Sequence, residues 1–577
     1  MFKSVFAKTV INTRFWSVFV ASTLSMVSTY LLMLTDNVVA GQMVGEDAVM
    51  GMTLIFPIVT GIIFVSYLIA DGLVMLYSYA KGRGDRDEET RLFSLGVILS
   101  VVTGILFTAV FVGFREQILS FWDISDHLRG YADDYYFGLL LFAPASFIDT
   151  FLYTVFIAEG NERVCVIASI VAFAVNVVLD FFLCMHIGIT GIGIASTAGL
   201  IVSTLVQIRY LTGGQSQLRL IWYFDIRKTI KGVWYSFYHA IDTLLLAILP
   251  VVLSAFVLSR FGEPSIIIVT VGMNLLELVI AVYTGMVDCL QPMVCQYHAE
   301  KNLHSVKKTM KVGMFATVAV SLAMTVLGIL FENFLPGLFG VKETSMTQEI
   351  AEAMRCFLPF TVFLGSTLMY SNYYIYIEER NYGALLKTLL MLVFPLIGMY
   401  CGATVSMNGL WLGMGISFAA AFLLNWLLTK KWSRNRKGLL LMNETDYDRQ
   451  LSYDINSTQE EVMALAQKVG NVLQASGENA KRRSLLVSLI EQLGLHAAER
   501  SGDTPFQLEY SILPGETASE PLRMILRDNA EPYDIIERIK QGNCSKQEAL
   551  IDSLTAGLKS RQYSASGDEN RMMLQLK

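Results

Sequence analysis

Seven carboxylates interrupt long apolar stretches of this 577-residue sequence: Asp36, Asp71, Asp149, Asp180, Asp242, Glu277 and Asp288. A charged side chain at the centre of a bilayer costs about 2.5–3.5 kcal/mol on insertion scales, so it normally faces a partner group or a water-filled cavity. These residues are therefore the first candidates for binding a cation or carrying a proton. The alternative is that each one hydrogen-bonds to a neighbouring helix and only stabilises packing.

Asn176 and Asp180 add a spacing pattern to this set. They are four residues apart, so they lie on one face of a helix, and Asp36 lies on an earlier apolar segment of the same half of the chain. Two carboxylates and an amide oxygen that converge could bind Na⁺, because hard cations prefer oxygen ligands, or could share a proton. We expect a cation site at these three residues. For the other acids both alternatives stay open.

The segments that position these acids are typical of transmembrane helices. Hydrophobic residues make up 54% of the chain and charged residues only 16%, against about 25% charged residues in soluble proteins. Apolar runs of about 20 residues recur, and membrane helices tolerate the Gly and Pro inside them. The predicted fold class is an α-helical membrane protein with about twelve spans, at residues 15–40, 52–80, 92–114, 136–158, 164–186, 191–211, 233–260, 266–292, 312–332, 354–377, 385–405 and 408–430.

Basic residues follow the even-numbered segments, as in Lys81, Arg83 and Arg86 after the second segment and Lys430 and Lys431 after the last. Loops after the odd-numbered segments are poorer in Lys and Arg. Because cytoplasmic loops are enriched in these residues, both termini are predicted to be cytoplasmic. The expected location is a bacterial inner membrane.

Short motifs repeat along the chain and divide it into lobes. The segment Tyr79–Lys81, ending the second helix, resembles Tyr297–Lys301, ending the eighth, at an offset of 218 to 220 residues. Parallel repeats of this kind place a cavity between two lobes, which suits alternating access. Near residue 440 charged residues become much more frequent, which marks a soluble domain. The predicted boundaries are residues 1–215 and 216–440 for two six-helix lobes, 441–458 for a polar linker and 459–577 for a small α/β domain.

The motifs around the candidate cation site resemble a known transporter family. The segments Thr35–Gly45 (TDNVVAGQMVG), Asn176–Asp180 (NVVLD) and Gly188–Ala195 (GITGIGIA) are similar to the first, fifth and sixth helices of the multidrug and toxic compound extrusion (MATE) family. The resemblance covers residues 10–430. It implies two six-helix bundles that export organic cations or drugs against an inward flux of H⁺ or Na⁺.

The resemblance also implies which side chains bind the coupling ion. In the family the residues matching Asp36, Asn176 and Asp180 form the cation site, together with a sixth-helix Thr whose place here is taken by Ser196 or Thr197. The chain departs from the Na⁺-coupled branch that has an acid on the tenth helix, where Tyr370 or Tyr373 stands instead. Coupling through the C-terminal lobe is therefore not expected from the pattern.

The C-terminal part predicts alternating helices and strands. Helices are expected at Thr458–Ala475, Lys481–Ala498 and Lys546–Leu558, and strands at Phe506–Leu513, at Leu522–Leu526 and at a segment ending in Leu576. The segments Ile490–His496, Arg527–Asp534 and Gly567–Asn570 resemble the ATP-binding fold of anti-sigma-factor kinases and histidine kinases.

Gln492 and His496 stand where that fold has its catalytic Glu and its Mg²⁺-binding Asn. An amide cannot act as a general base, and His is a poor Mg²⁺ ligand. Asp528 could still contact an adenine amino group. The domain is therefore predicted to be regulatory and to bind ATP weakly at most.

The leading prediction is a secondary-active exporter with no enzymatic activity, no metal site and no cofactor beyond H⁺ or Na⁺ as coupling ion. Its expected partners are a small cationic or lipophilic substrate and membrane lipid, not nucleic acid. A phosphate-binding GxxxxGK[ST] loop is absent from the sequence, which disfavours a P-loop pump. Two alternatives stay open: a lipid-linked oligosaccharide flippase, and a membrane sensor whose output is the C-terminal domain.

Overall fold

A computed structural model of the chain describes residues 8–119, 126–213, 218–262, 264–338, 343–432, 434–501, 505–515, 521–541, 545–566 and 569–576. Helices dominate it up to Lys430 and a small sheet with helices follows. The helices of the first part are α1 Val10–Met43, α2 Glu46–Arg83, α3 Arg86–Gly113, α4 Arg115–Leu119, α5 Asp126–Gly138, α6 Phe142–Glu159, α7 Glu162–Ile187, α8 Ile189–Thr212, α9 Ile226–Phe261, α10 Pro264–Ala299, α11 Leu303–Leu330, α12 Leu335–Leu338, α13 Thr344–Phe357, α14 Thr361–Tyr376, α15 Arg380–Thr388, α16 Phe394–Ala403 and α17 Met407–Lys430.

Each predicted apolar segment corresponds, in order, to one helix or one bent pair of helices. Within the described residues, ten helical spans are long and apolar enough to cross a membrane, or eleven if the bent pair α5–α6 counts as one span. Helix α9 corresponds to the seventh predicted segment but is not one of these ten or eleven spans. The prediction of a helical membrane protein with about twelve spans is thus confirmed.

The breaks in the tenth and eleventh spans have local causes. A 3₁₀ turn at Leu358–Phe360 joins α13 to α14 and contains Pro359, and a π-helical turn at Leu389–Val393 joins α15 to α16 just before Pro395. Proline cannot donate the backbone hydrogen bond of a continuous helix, so the chain changes its helical pitch there.

The two lobes meet along helices α1 and α2 of the first and α9 and α10 of the second. Helix α2 contacts α9 at Gly72 and Gly232, where a Cβ atom on Gly72 would lie only 2.0 Å from the carbonyl oxygen of Gly232. Small residues let two membrane helices approach this closely. The contact lies in the half of the bundle that carries the C-terminal domain, which we call the domain side.

The C-terminal domain contains a five-stranded antiparallel sheet in the order β3 (Leu451–Asn456), β4 (Gln507–Leu513), β5 (Leu522–Asp528), β7 (Glu569–Leu576) and β6 (Ser560–Ser566). Apolar residues at alternate positions, such as Leu508, Tyr510 and Ile512 of β4, form a core with the helices on one face. The elements after α17 are β1 Arg436–Lys437, β2 Met442–Asn443, α18 Glu444–Asp448, β3 Leu451–Asn456, α19 Gln459–Ala475, α20 Ala480–Ser501, β4 Gln507–Leu513, β5 Leu522–Asp528, α21 Ile535–Lys540, α22 Lys546–Thr555, β6 Ser560–Ser566 and β7 Glu569–Leu576.

Strand β3 lies inside the segment that the sequence assigns to a polar linker. It pairs with β4 from Leu451 opposite Ile512 to Asn456 opposite Gln507, so it belongs to the domain's sheet. Its polar and apolar residues are mixed and mostly half-buried because it is an edge strand. The sheet therefore begins before residue 459, and β6 is a further strand that the pattern does not predict.

Candidate functional site

Three helices of the first lobe bring the predicted cation-site residues together. Asp36 comes from α1, Asn176 and Asp180 from α7, and Ser196 from α8; the exposed fractions of the first three are 7%, 1% and 0%. The Ser196 hydroxyl donates to Oδ2 of Asp36 over 2.8 Å, and Nδ2 of Asn176 donates to Ser196 Oγ over 3.2 Å. The four side chains form one connected polar cluster, the α1–α7–α8 cluster.

Several oxygens of this cluster have no hydrogen-bond donor within the described part of the chain. They are Oδ1 of Asp36, both carboxylate oxygens of Asp180 and Oδ1 of Asn176. The Asp36 and Asp180 carboxyl groups lie against each other, and two carboxyl groups can hydrogen-bond directly only through a proton. Buried charged oxygens without a partner are costly. A proton or a hard cation would supply the missing partner.

Thr197 faces away from this cluster. Its hydroxyl donates to the carbonyl oxygens of Gly193, over 2.9 Å, and Gly138, over 3.3 Å, so it joins α8 to the bent helix α5. Of the two hydroxyls that the sequence left open, only that of Ser196 contacts Asp36. Adjacent residues of a helix point about 100° apart, so both could not have faced the same point.

A second polar cluster lies between the lobes around Tyr67 of α2. Asp71 of α2, Asp149 of α6 and Asp288 of α10 are near enough to interact electrostatically with this phenol. Asp149 accepts a hydrogen bond from Nε2 of Gln207 over 2.7 Å. Three of the acids that the sequence singled out therefore share one region, which we call the inter-lobe acidic region.

Asp71 has a partner in the other lobe. Nδ1 of His239 on α9 lies 3.0 Å from Oδ2 of Asp71, and Nε2 of His239 lies 3.0 Å from the hydroxyl of Tyr376 on α14. Nε2 of Gln291 also donates to the backbone carbonyl of Asp71. This Asp–His–Tyr chain joins both lobes. Sequence reasoning missed His239, although a histidine within an apolar segment of a chain with only six histidines was a usable signal.

The remaining predicted acids differ in position. Glu277 is half-buried on α10 near Tyr30 of α1. The side chain of Asp242 lies outside the described residues.

The candidate nucleotide-binding residues lie in the C-terminal domain, and two of them contact other residues of that domain. Oδ1 of Asp528 accepts from Nδ2 of Asn570 over 2.7 Å and from the backbone N–H of Ala530 over 3.1 Å. Burial raises the pKa of Asp528 and lowers the pKa of His496, whose Nε2 lies 3.7 Å from Glu548. Gln492 is half-buried on α20. Gly567 and Asp568, the start of the last motif, lie outside the described residues.

Comparison with known proteins identifies the class first. The fold matches two solved structures: MATE in complex with MaL6 (17% identity, TM-score 0.68) and an outward-facing multidrug resistance MATE family transporter of the MOP superfamily (18%, 0.67), each over 74% of this chain and 96% of the other. A MOP superfamily transporter from Pyrococcus furiosus, described as having a binding pocket of reverse polarity, matches over the same shares (17%, 0.66). No curated protein sequence matches the chain.

These matches define a membrane transporter fold. The family model MatE matches residues 21–182 and 240–397, more than half of the chain. The chain belongs to the MATE family. The resemblance stated from the three sequence motifs is therefore confirmed, and both matched ranges lie before the C-terminal domain.

Proposed function

We propose that this transporter exports organic cations or cationic drugs in exchange for H⁺ or Na⁺, by alternating access between its two lobes. The observation that carries the proposal is the set of buried oxygens of Asp36, Asn176 and Asp180 that no donor among the described residues satisfies. A cluster that must take up a cation to satisfy its oxygens can couple ion binding to helix movement, because α1, α7 and α8 all contribute to it.

The inter-lobe acidic region supports a cationic cargo. Asp71, Asp149 and Asp288 place three carboxyl groups between the lobes, and Tyr67 adds an aromatic ring that can bind a cation through its face. A lipid-linked oligosaccharide carries anionic phosphate, which this region would repel. The acids therefore favour the exporter over the flippase.

The proposed orientation places both termini in the cytoplasm of a bacterial cell, with the protein in the inner membrane. The Lys and Arg residues after the even-numbered helices support it. The C-terminal domain then lies on the cytoplasmic face. We assign it a regulatory role, because Asp528 already accepts hydrogen bonds from Asn570 and Ala530 and the catalytic Glu is replaced by Gln492.

Proteoliposomes with independently imposed pH and Na⁺ gradients test this function. Uptake of a fluorescent lipophilic cation should follow one of the two gradients in the wild type and stop when Asp180 is changed to Asn. The matched control is Asp47→Asn, an exposed acid paired with His127. Uptake that depends on neither gradient would contradict the proposal. Transport of an anionic lipid-linked sugar would favour the flippase.

A further inference from the structure

The sheet of the C-terminal domain turns a polar face toward the membrane body. Along β4, β5 and β7, the side chains on this face alternate with the core residues. They are Glu509, Ser511, Arg527, Glu569 and Arg571. All five are buried, Arg527 completely. We call this set the docking face.

The docking face contacts the second lobe at the turn between α10 and α11. Ser305 donates to Oε1 of Glu509 over 2.7 Å and Nδ2 of Asn302 donates to Ser511 over 3.0 Å. The carboxylate of Glu300, itself fully buried, pairs with Arg527. At the rim, Nζ of Lys308 lies 2.6 Å from Asp454 of β3.

The same face contacts the first lobe at α1 and at the turn between α2 and α3. Arg14 of α1 pairs with Glu569 over 2.5 Å. The Arg571 guanidinium donates to the backbone carbonyls of Lys81 and Gly82, the latter over 2.7 Å. Beside it, Arg86 donates to the backbone carbonyl of Tyr563.

One side chain joins both lobes directly. Arg571 binds Lys81 and Gly82 in the first lobe, and its Nε lies 3.1 Å from Oε1 of Glu300 in the second. The charge of Glu569 is stabilised: burial alone would raise its pKa, but Arg14 and Arg527 bring that pKa below its ordinary value. Removing one partner from such a buried network leaves an uncompensated charge, which is strongly unfavourable.

We propose that the C-terminal domain is a clamp that holds the domain-side ends of the two lobes together. The inference rests on the alternating-access mechanism, in which these ends must separate once per cycle. While the docking face binds both lobes, that separation cannot occur, so the domain must leave at least one lobe. The charged groups of the interface can be solvated by water on release, and only a small apolar cluster of Leu513, Ile525 and Met573 lies on the same face. The domain keeps its own apolar core.

Charge reversals on the membrane body should release the clamp and leave the domain sequence untouched. Ser305→Asp with Lys308→Glu places carboxylates opposite Glu509 and Asp454. Asn302 caps α11 and accepts from Ser305 N–H, so an acid at position 305 favours the helix itself. The matched control is Arg227→Glu, at an exposed position near the start of α9 in the same lobe, and the rescue adds Glu509→Gln with Asp454→Lys.

Pulsed electron resonance between spin labels at positions 87 and 431, one in each lobe, measures separation on the domain side. We expect a longer-distance population in the release variant, faster transport, and a return to wild-type behaviour in the rescue. Protease sensitivity of the linker in the release variant would show that the domain has left the membrane body. If the distance between the labels is then unchanged, the clamp proposal is wrong. If the distance lengthens in the release variant but neither the wild type nor any variant shows ion-coupled transport, the proposed exporter function is wrong and the clamp proposal is retained.

Cross-linking tests the same proposal in the opposite direction. Cysteine pairs are joined by a bis-maleimide with a disulfide in its spacer: the pair at 308 and 454 tethers the domain to the second lobe, and the pair at 86 and 563 tethers it to the first. We expect transport with either tether alone, background transport with both, and recovery on reduction. Full transport while mass spectrometry shows both cross-links formed would overturn the clamp.

Discussion

At the scale of single residues, the α1–α7–α8 cluster pairs two carboxyl groups with an amide and a hydroxyl. Ser196 satisfies one oxygen of Asp36, and among the described residues no donor reaches the second Asp36 oxygen or either oxygen of Asp180. The cluster is fully enclosed at Asp180 and nearly so at Asn176. We therefore expect the Asp36–Asp180 pair to alternate between a charged state and a state neutralised by a proton or a cation, and substitutions can test this.

Neutralising Asp36 should uncouple the transporter. Asp36→Asn keeps the size of the side chain and its hydrogen bond with Ser196 can persist, but the pair loses the charge that attracts the ion. We expect gradient-driven efflux at background level with an unchanged thermal transition in detergent. Asp47→Asn should behave as wild type, and wild-type efflux by Asp36→Asn would show that the cluster does not bind the coupling ion.

Ser196→Ala and Thr197→Ala form a matched pair on one helix. A hydrogen bond to a charged group is worth about 1.5–3 kcal/mol, so losing the bond from Ser196 should change the apparent affinity for the coupling ion about tenfold or more. The affinity should rise if the ion is H⁺, because Asp36 loses a donor, and fall if it is Na⁺, because a ligand oxygen is lost. Thr197→Ala should leave it unchanged, and equal effects of the two changes would contradict the geometry.

In the C-terminal domain, Gln492 and His496 predict no ATP hydrolysis. A positioned general base contributes about 10²–10⁴-fold to a rate, so its loss should leave turnover near background. Burial lowers the pKa of His496, which keeps the imidazole neutral at pH 7. The purified full-length protein should release phosphate from ATP no faster than its Asp528→Ala variant; faster release by the wild type would show that the motif alignment is wrong.

At the scale of elements, the lobes meet at a close approach of two helices, and this contact can be tested with glycines of α2. A Cβ atom on Gly72 would clash with the backbone of Gly232, whereas one on Gly61 would meet no atom within 4 Å. Overpacking costs about 1–3 kcal/mol, so Gly72→Ala should lower the thermal stability in detergent and slow transport. Gly61→Ala, in the same helix, should be neutral or stabilising. Equal stability of the two variants would contradict the close contact.

At the scale of the whole molecule, the distribution of basic residues predicts the orientation. A cysteine introduced at Lys437 should resist an impermeant maleimide added to intact cells, and one at Asp126 should react. Both should react after permeabilisation, which serves as the control. The reverse labelling pattern would place the C-terminal domain outside the cytoplasm and would remove it from any cytoplasmic regulation.

The sequence alone determined the membrane spans, their order and the acids worth testing. Span position depends on local composition, because about 20 consecutive apolar residues suffice to cross a bilayer wherever they occur. The spacing of Asn176 and Asp180 likewise fixed a shared helix face before any fold was known. The three MATE-like motifs are local in the same sense.

Only the tertiary structure decided which groups meet across long distances in the chain. Asp71 and His239 are 168 residues apart, and nothing local links them. The docking face gives the clearest reason. Alternation in β4, β5 and β7 separates a polar from an apolar face. The sequence pattern would be the same whether Arg527 and Arg571 faced water or, as in the structure, were buried against Glu300. A period-two pattern distinguishes two faces of a sheet, and the packing of another domain decides which of them meets solvent.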